Sequence, residues 1–492
     1  GHAYTTVICD TIANFNKWLG MNVNFLTGTD EHGQKVEKSA LKAGINPQEF
    51  TNKVSKSFYN LAANLEINNS DFIRTTESRH KKSVSDLWNK LESKGDIYLD
   101  KYSGWYSIRD EAFYSNDEII KDKNGRKIAP NGSEVEWVEE PSYFFKLSSW
   151  QDKLLAFYKN NPDFISPKSR YNEVLSFVNN GLEDLSISRT TFNWGIPVPG
   201  NSKHIIYVWL DALTNYISAL EYPNYDSIKW KSFWPADIHV VGKDILRFHA
   251  VYWPAFLMAA EIKIPKKIYA HGWWTVNGKK MSKSTGNVVS PEYIIDKYGL
   301  DQFKYFLLRE VRLGQDGDFS EEALIKRSNS DLANDYGNLA QRVLSFIHKN
   351  NEGLIPIKGI YKKEDEELMQ CMNTVKINII NYMSNYKVTN ALEELWVMIS
   401  KSNTYIDEQA PWTLKKTDLN RMNTVLYVLC TIIKNISLIA TNFIPIGANK
   451  ILDQLEIPQD RRTYKDYDLE LISGTTLSKP QGAFPRIETK VL

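Results

Sequence analysis

Cysteine is scarce in this chain: Cys9, Cys371 and Cys430 are odd in number, far apart, and form no CxxC pair. Neither a disulfide framework nor a cysteine zinc site can be built from them, so a reducing, cytoplasmic setting is expected. Long apolar runs are lacking too. The strongest, 251–260 and 424–433, stop at Glu261 and Lys434, short of the roughly 20 residues a membrane helix needs, and no membrane partner is expected. Net charge is almost nil, since 60 basic against 59 acidic side chains leave +1. That excludes a globally basic protein, although not a local basic surface for nucleic acid. Internal repeats and low-complexity segments are also missing. What is plentiful is core material: of 492 residues, 42% are hydrophobic and 12% aromatic. Disorder is excluded, and at roughly 150 residues per domain about three domains are expected.

Hydrophobic spacing divides the chain. Residues 1–91 open in a helical pattern, with Val7, Ile8, Ile12, Phe15, Trp18 and Leu19 on one face and Gly20 as a stop. A β-rich run over 23–27 then ends at Gly28-Thr29-Asp30-Glu31-His32-Gly33, and helical stretches follow. This is the grammar of a parallel α/β sheet. Because the chain starts already inside a helix, an upstream strand is expected before Gly1. Over 92–203 the pattern changes to short aromatic runs with many turn residues, such as Tyr102-Ser103-Gly104-Trp105-Tyr106 and Pro130-Asn131-Gly132, which reads as a small inserted domain. Alternation resumes over 204–278 with Ile205-Ile206-Tyr207-Val208, then 238–242 and 267–270, read as the second half of the same sheet. A short segment, 279–327, carries a lysine-rich loop. Residues 328–472 place apolar side chains three and four apart, as Leu339, Val343 and Phe346 or Val425, Val428 and Ile432 do, which predicts a helix bundle. The last stretch, 473–492, reads as an irregular tail.

Chemistry concentrates in a few motifs. Lys280-Met281-Ser282-Lys283-Ser284 sets two lysines three apart among small residues, a loop able to bring two ammonium groups onto a polyphosphate. An ordinary K-x-x-K is a solvated basic loop. A Walker loop is excluded, because five residues separate Gly272 from Gly278 and Lys280 stands where Ser or Thr belongs. The full pentapeptide resembles the KMSKS signature of class I aminoacyl-tRNA synthetases, and Gly1-His2 matches the last two letters of that family's HIGH motif. Three more stretches narrow the resemblance to the methionyl-tRNA synthetases over nearly the whole chain: Trp209-Leu210-Asp211-Ala212 with Tyr216, Gly242-Lys243-Asp244-Ile245-Leu246-Arg247-Phe248-His249, and Thr29-Asp30-Glu31-His32-Gly33.

Physically, Asp30 and Asp244 fall at the carboxyl ends of predicted strands, where open α/β sheets bind ligands. Trp209, Ala212, Leu213, Tyr216, Ile245 and Phe248 can form an apolar slot, with the Tyr216 hydroxyl and the His249 imidazole as polar handles; a thioether suits such a slot. Taken alone, those aromatics would be ordinary core, and Asp211 and Asp244 helix caps. The resemblance implies that Asp30 holds the methionine ammonium and that the slot with His249 takes the side chain. It also implies activation-site roles for Arg189 and Asp244, and ATP contacts from Gly1, His2, Gly242, Lys280 and Lys283. Leu213 departs from the proline common in some members.

Where members of the family often carry a zinc knuckle, this chain has Ser107 and Asp110 instead of cysteines, so no structural zinc and no other protein-bound metal is expected. In the bundle, Asn338 and Arg342 lie one helical turn apart, and Trp412 follows Ala410-Pro411. A polar helix face and a core tryptophan is the plain interpretation; the resemblance implies anticodon contacts. The implied fold is an interrupted Rossmann-like catalytic domain with a connective insertion and a helical anticodon domain. The implied reaction is ATP- and Mg²⁺-dependent formation of methionyl-adenylate, then transfer to the terminal adenosine of the methionine tRNAs, initiator included, by a monomer. The alternatives are a synthetase for another apolar amino acid, and a catalytically silent tRNA-binding paralogue.

Overall fold

Two compact units emerge in the computed structural model, which describes residues 1–488 apart from 115, 277, 282–287 and 313. One unit comprises residues 24–63 and 69–271, the other 1–23, 64–68 and 272–492.

In the first unit, strand β1 (Leu26–Thr29) pairs in parallel with β2 (Asp71–Arg74). Between them come helices Gln34–Lys42 and Pro47–Asn64, and helix Ser78–Ser93 follows. Val84, Leu87, Trp88 and Leu91 recur on one face of that last helix and are fully buried, as an amphipathic helix on a sheet requires. The insertion is built on β3 (Ile97–Ser107) and β4 (Glu136–Phe145), an antiparallel pair in register from Ile97↔Phe145 to Tyr106↔Glu136. Strand β5 (Ile165–Ser166) returns to the α/β layer, pairing in parallel with the later strand Ile268–His271, so the segment 92–203 is not wholly insertion. Two residues carry too little periodicity to announce such a strand.

Residues 205–208 differ from expectation more sharply. Strand β6 (Asn201–Ile206) is antiparallel, between Ser188–Arg189 and Pro197–Val198, and does not join the parallel ladder. Tyr207 then leaves the strand and Val208–Leu213 is helical. A short apolar run buried on all sides reads alike for a parallel strand and for a strand running into a helix. The expected parallel ladder does form between β7 (His239–Gly242) and β8 (Ile268–His271). Ile268 and Ala270 of β8 have no exposed surface, typical of a strand covered on both faces.

The second unit begins with helix His2–Trp18, whose buried face includes Val7, Ile8, Ile12 and Phe15. Strand Trp274–Val276 forms a hairpin with Lys279–Lys280, so the backbone of Lys280 is strand rather than loop. Lys283 lies outside the described residues. The helical region contains α1 (Asn338–Asn350), α2 (Lys363–Ser384), α3 (Val388–Gln409), α4 (Pro411–Thr417) and α5 (Leu419–Ala440). By length and composition α5 could cross a membrane, but 94% of its most apolar window is buried as the bundle's central helix. Lys434 does not end it, because its ammonium donates to the Tyr467 carbonyl at 2.9 Å. Burial lowers the pKa of that lysine to about 8. The tail is irregular yet anchored: Asn329 and Ile487 exchange two hydrogen bonds, of 2.9 and 2.8 Å, and Phe484 packs on Tyr336.

Candidate active site

Asp30 directly follows β1, and Asp244 lies two residues beyond β7, so both occupy carboxyl ends of parallel strands. Asp30 itself is exposed, and its carboxyl lies among the charges of Asp211, His80, His32 and Glu31. The lost hydration, followed by the charge of Asp211, lifts its carboxyl to about 6, against a downward pull from His80 and His32.

Asp211, fully buried inside helix Val208–Leu213, is no helix cap. One oxygen accepts from His32 Nδ1 and the other from His80 Nε2, both at 2.7 Å, and His80 Nδ1 meets the Ser218 hydroxyl at 2.9 Å. Burial alone would raise the Asp211 pKa; the two imidazoles outweigh it and bring it to about 2. Glu31 fastens the same turn, accepting from Arg74 at 2.7 and 3.0 Å and from the Thr29 hydroxyl at 2.8 Å. Gly33 has φ +108°, and a Cβ there would stand 2.1 Å from Glu111 Oε1. Only glycine lets the insertion's carboxylate approach so closely. Burial raises the Glu111 carboxyl to about 7 despite Lys35 nearby. Gly242 is similarly tight, since a Cβ would meet Asp244 Oδ1 at 2.6 Å.

The aromatic slot assembles around the short helix and the segment after β7. Trp209 stacks flat on Phe248, with ring centroids 3.8 Å apart at 7°. His249 Nδ1 faces the Ile245 carbonyl at 3.0 Å. A carbonyl only accepts, so that nitrogen carries the proton; the bare Nε2 then accepts from the Tyr216 hydroxyl at 2.7 Å. Burial lowers the His249 pKa to about 4, so its imidazole is neutral at pH 7. Ala212 and Leu213 are buried alongside. Two residues not anticipated from sequence complete the wall: His239, whose ring lies 4.0 Å from that of Tyr216, and fully buried Trp253 at 6.3 Å. Arg189, 2% exposed, donates to the Ser186 hydroxyl at 2.9 Å and sits 4.6 Å over the Tyr207 ring.

Asp30, Arg189, Asp244 and all the slot residues therefore belong to one unit. Gly1, His2 and Lys280 belong to the other, where Gly1 and His2 are exposed at the start of helix His2–Trp18. At the knuckle, Ser107 donates to Asp110 at 3.0 Å and Tyr114 donates to the same carboxylate at 3.1 Å, a hydrogen-bonded turn.

The anticodon candidates also converge. Asn338 is exposed at the start of α1, and one turn on, Arg342 bonds Asp407 at 2.7 Å. The Arg342 guanidinium lies 5.7 Å from the ring of Trp412, which is 43% exposed on α4 and not a core residue.

A class I aminoacyl-tRNA synthetase is what this sheet, its strand-end carboxylates and its helical domain define. Residues 1–344 match the family of tRNA synthetases class I (M), and residues 355–491 the anticodon binding domain of methionyl tRNA ligase. The chain belongs to the class I (M) synthetase family. It is 53% identical to the methionine–tRNA ligase of Rickettsia felis, covering 100% of this chain and 96% of that protein. Identity to the Brucella suis methionine–tRNA ligase is 49%, over 99% and 94%. The crystal structure of Mycobacterium tuberculosis methionyl-tRNA synthetase bound by methionyl-adenylate superposes with TM-score 0.96 at 45% identity, covering 99% of this chain and 96% of that one.

Proposed function

We propose that this chain activates L-methionine with ATP to methionyl-adenylate and transfers the methionyl group to methionine tRNAs, the initiator included. What carries the proposal is the slot: a stacked Trp209–Phe248 pair beside a neutral Tyr216–His249 hydrogen bond, in the same unit as Asp30. A long, soft, weakly accepting thioether suits aromatic faces with polar ends and no formal charge. Asp30 takes the ammonium, and Arg189 and Asp244 shape the activation site. Gly1, His2, Gly242, Lys280 and Lys283 serve the ATP. The carboxylate attacks the α-phosphorus in line, so no side chain acts as nucleophile and catalysis is positioning plus charge stabilisation. Mg²⁺ enters with the polyphosphate, as part of the substrate. Methionine charging of elongator and initiator tRNA by the purified enzyme tests this; failure with both would contradict it.

The raised Asp30 carboxyl sets a pH dependence. An ammonium needs the ionised form, so kcat/KM for methionine should be flat above about pH 6 and fall by about tenfold per unit below it. An exchange profile that stays flat down to about pH 5 would contradict a raised Asp30 carboxyl in the free enzyme.

For the anticodon surface, stacking a base on an aromatic is worth roughly 1 to 3 kcal/mol, so Trp412→Ala should lower kcat/KM for tRNA by about 5- to 150-fold. Methionine activation and the melting temperature should barely change, given how exposed the indole is. Normal charging would rule out a base platform there.

We also propose a knuckle without zinc, a monomer, and residence in a reducing cytoplasm, where burial raises the Cys9 and Cys430 thiols to about 12 and keeps them inert. Elemental analysis near one zinc per chain, or sedimentation as a dimer, would contradict the first two.

A further inference from the structure

The bundle holds a buried charged network that the catalytic account does not use. Asp365, with no exposed surface, and Arg421, 6% exposed, form a two-pronged pair: Arg421 Nη1 reaches one carboxylate oxygen and Nη2 the other, at 2.9 Å. The Tyr405 hydroxyl and the Lys362 N–H, the latter at 2.8 Å, also donate to Asp365. This fixes the guanidinium in place. Its Nη2 also donates at 2.6 Å to the side-chain oxygen of Gln409, the last residue of α3.

Ala410 comes next, left-handed at φ 43° and ψ 63°, and Pro411 starts α4. A residue with a Cβ holds that conformation only where its surroundings over-determine it. Backbone bonds such as Thr413 N–H to the Ala410 carbonyl at 2.8 Å close the turn, and two arginines brace the residues before it: Arg421 grips Gln409, and Arg342 holds Asp407 at 2.7 Å on the outside. Trp412 stands two residues beyond Ala410, so any relaxation of the turn swings the indole.

We infer that Gln409 and Arg421 are positioning residues for tRNA recognition, holding the Ala410 turn so that Trp412 presents its face to a base; the inference rests on Trp412 being a base platform. The bond needs an acceptor at 409 and no particular charge. Glutamate supplies one and leucine of similar size does not, while either leaves the Asp365–Arg421 pair intact.

The test compares Gln409→Leu, Gln409→Glu and Trp412→Ala in the full enzyme by tRNA charging, methionine-dependent ATP–pyrophosphate exchange and thermal melting. Gln409→Leu should raise KM for tRNA roughly 5- to 20-fold, with kcat changed less than about twofold and exchange untouched. Gln409→Glu should restore KM to within about twofold of the parent. Parental KM in Gln409→Leu beside an impaired Trp412→Ala overturns the positioning role and leaves the platform standing. Normal charging by Trp412→Ala removes the platform and the inference together. Equal impairment by leucine and glutamate, or parallel losses in both assays tracking a lowered melt, also overturns it.

Discussion

Asp30→Asn is expected to lower kcat/KM for methionine by roughly 30- to 4,000-fold, because deleting one partner of a desolvated, hydrogen-bonded charge pair costs about 2 to 5 kcal/mol. The amide keeps the shape of the turn after β1 and removes only the charge. Stability should move the other way. A carboxyl whose folded pKa stands at about 6, above its usual 3.8, favours folding while protonated and opposes it once ionised. At pH 7 the neutral asparagine therefore leaves the melt unchanged or slightly raised, since it also ends the repulsion from Asp211. Exchange rates against methionine concentration, with a melt on the same preparation, decide the matter. A parental methionine KM would remove Asp30 from the site, and a lowered melt would make its role structural.

Lys283→Ala should lower the rate of adenylate formation by about 10²- to 10³-fold, the usual loss on deleting one donor aimed at charge that develops in a transition state. Lys283 is the second lysine of the Lys280-Met281-Ser282-Lys283-Ser284 motif. Negative charge builds on the leaving pyrophosphate as the α-phosphorus bond breaks, so the ammonium contact strengthens late and turnover suffers more than methionine binding. Single-turnover exchange separates the two: a raised methionine KM at unchanged turnover would contradict this role.

Periodicity and short motifs make some of the candidate residues legible in the sequence. Asp30 and Asp244 stand at predicted strand ends, and Trp209, Tyr216, Phe248 and His249 sit in two compact stretches of sequence whose side chains meet in space. The buried His32–Asp211–His80 network was hidden, because His80 is 131 residues from Asp211 and an isolated histidine carries no spacing signal. Its clues were His32 within Thr29-Asp30-Glu31-His32-Gly33 and Asp211 within Trp209-Leu210-Asp211-Ala212. Glu111 was invisible for a different reason: its approach depends on the missing Cβ of Gly33, a close contact that neither residue's surroundings in sequence declare. Two-residue β5 and the four-residue run at 205–208 were too short for period to separate strand pairing from a turn into a helix. Lys434 looked like a helix end, since a lysine in an apolar run is normally exposed, until the carbonyl groups that receive its ammonium were in view.

Methionine selectivity of ATP–pyrophosphate exchange tests the central claim most directly. With methionine, leucine, isoleucine and valine compared at equal concentration, methionine should support exchange at least about tenfold better than any other, since a misfitted methylene in an apolar slot costs roughly 10- to 200-fold. Faster exchange with leucine, isoleucine or valine, or none with any amino acid, would contradict the account.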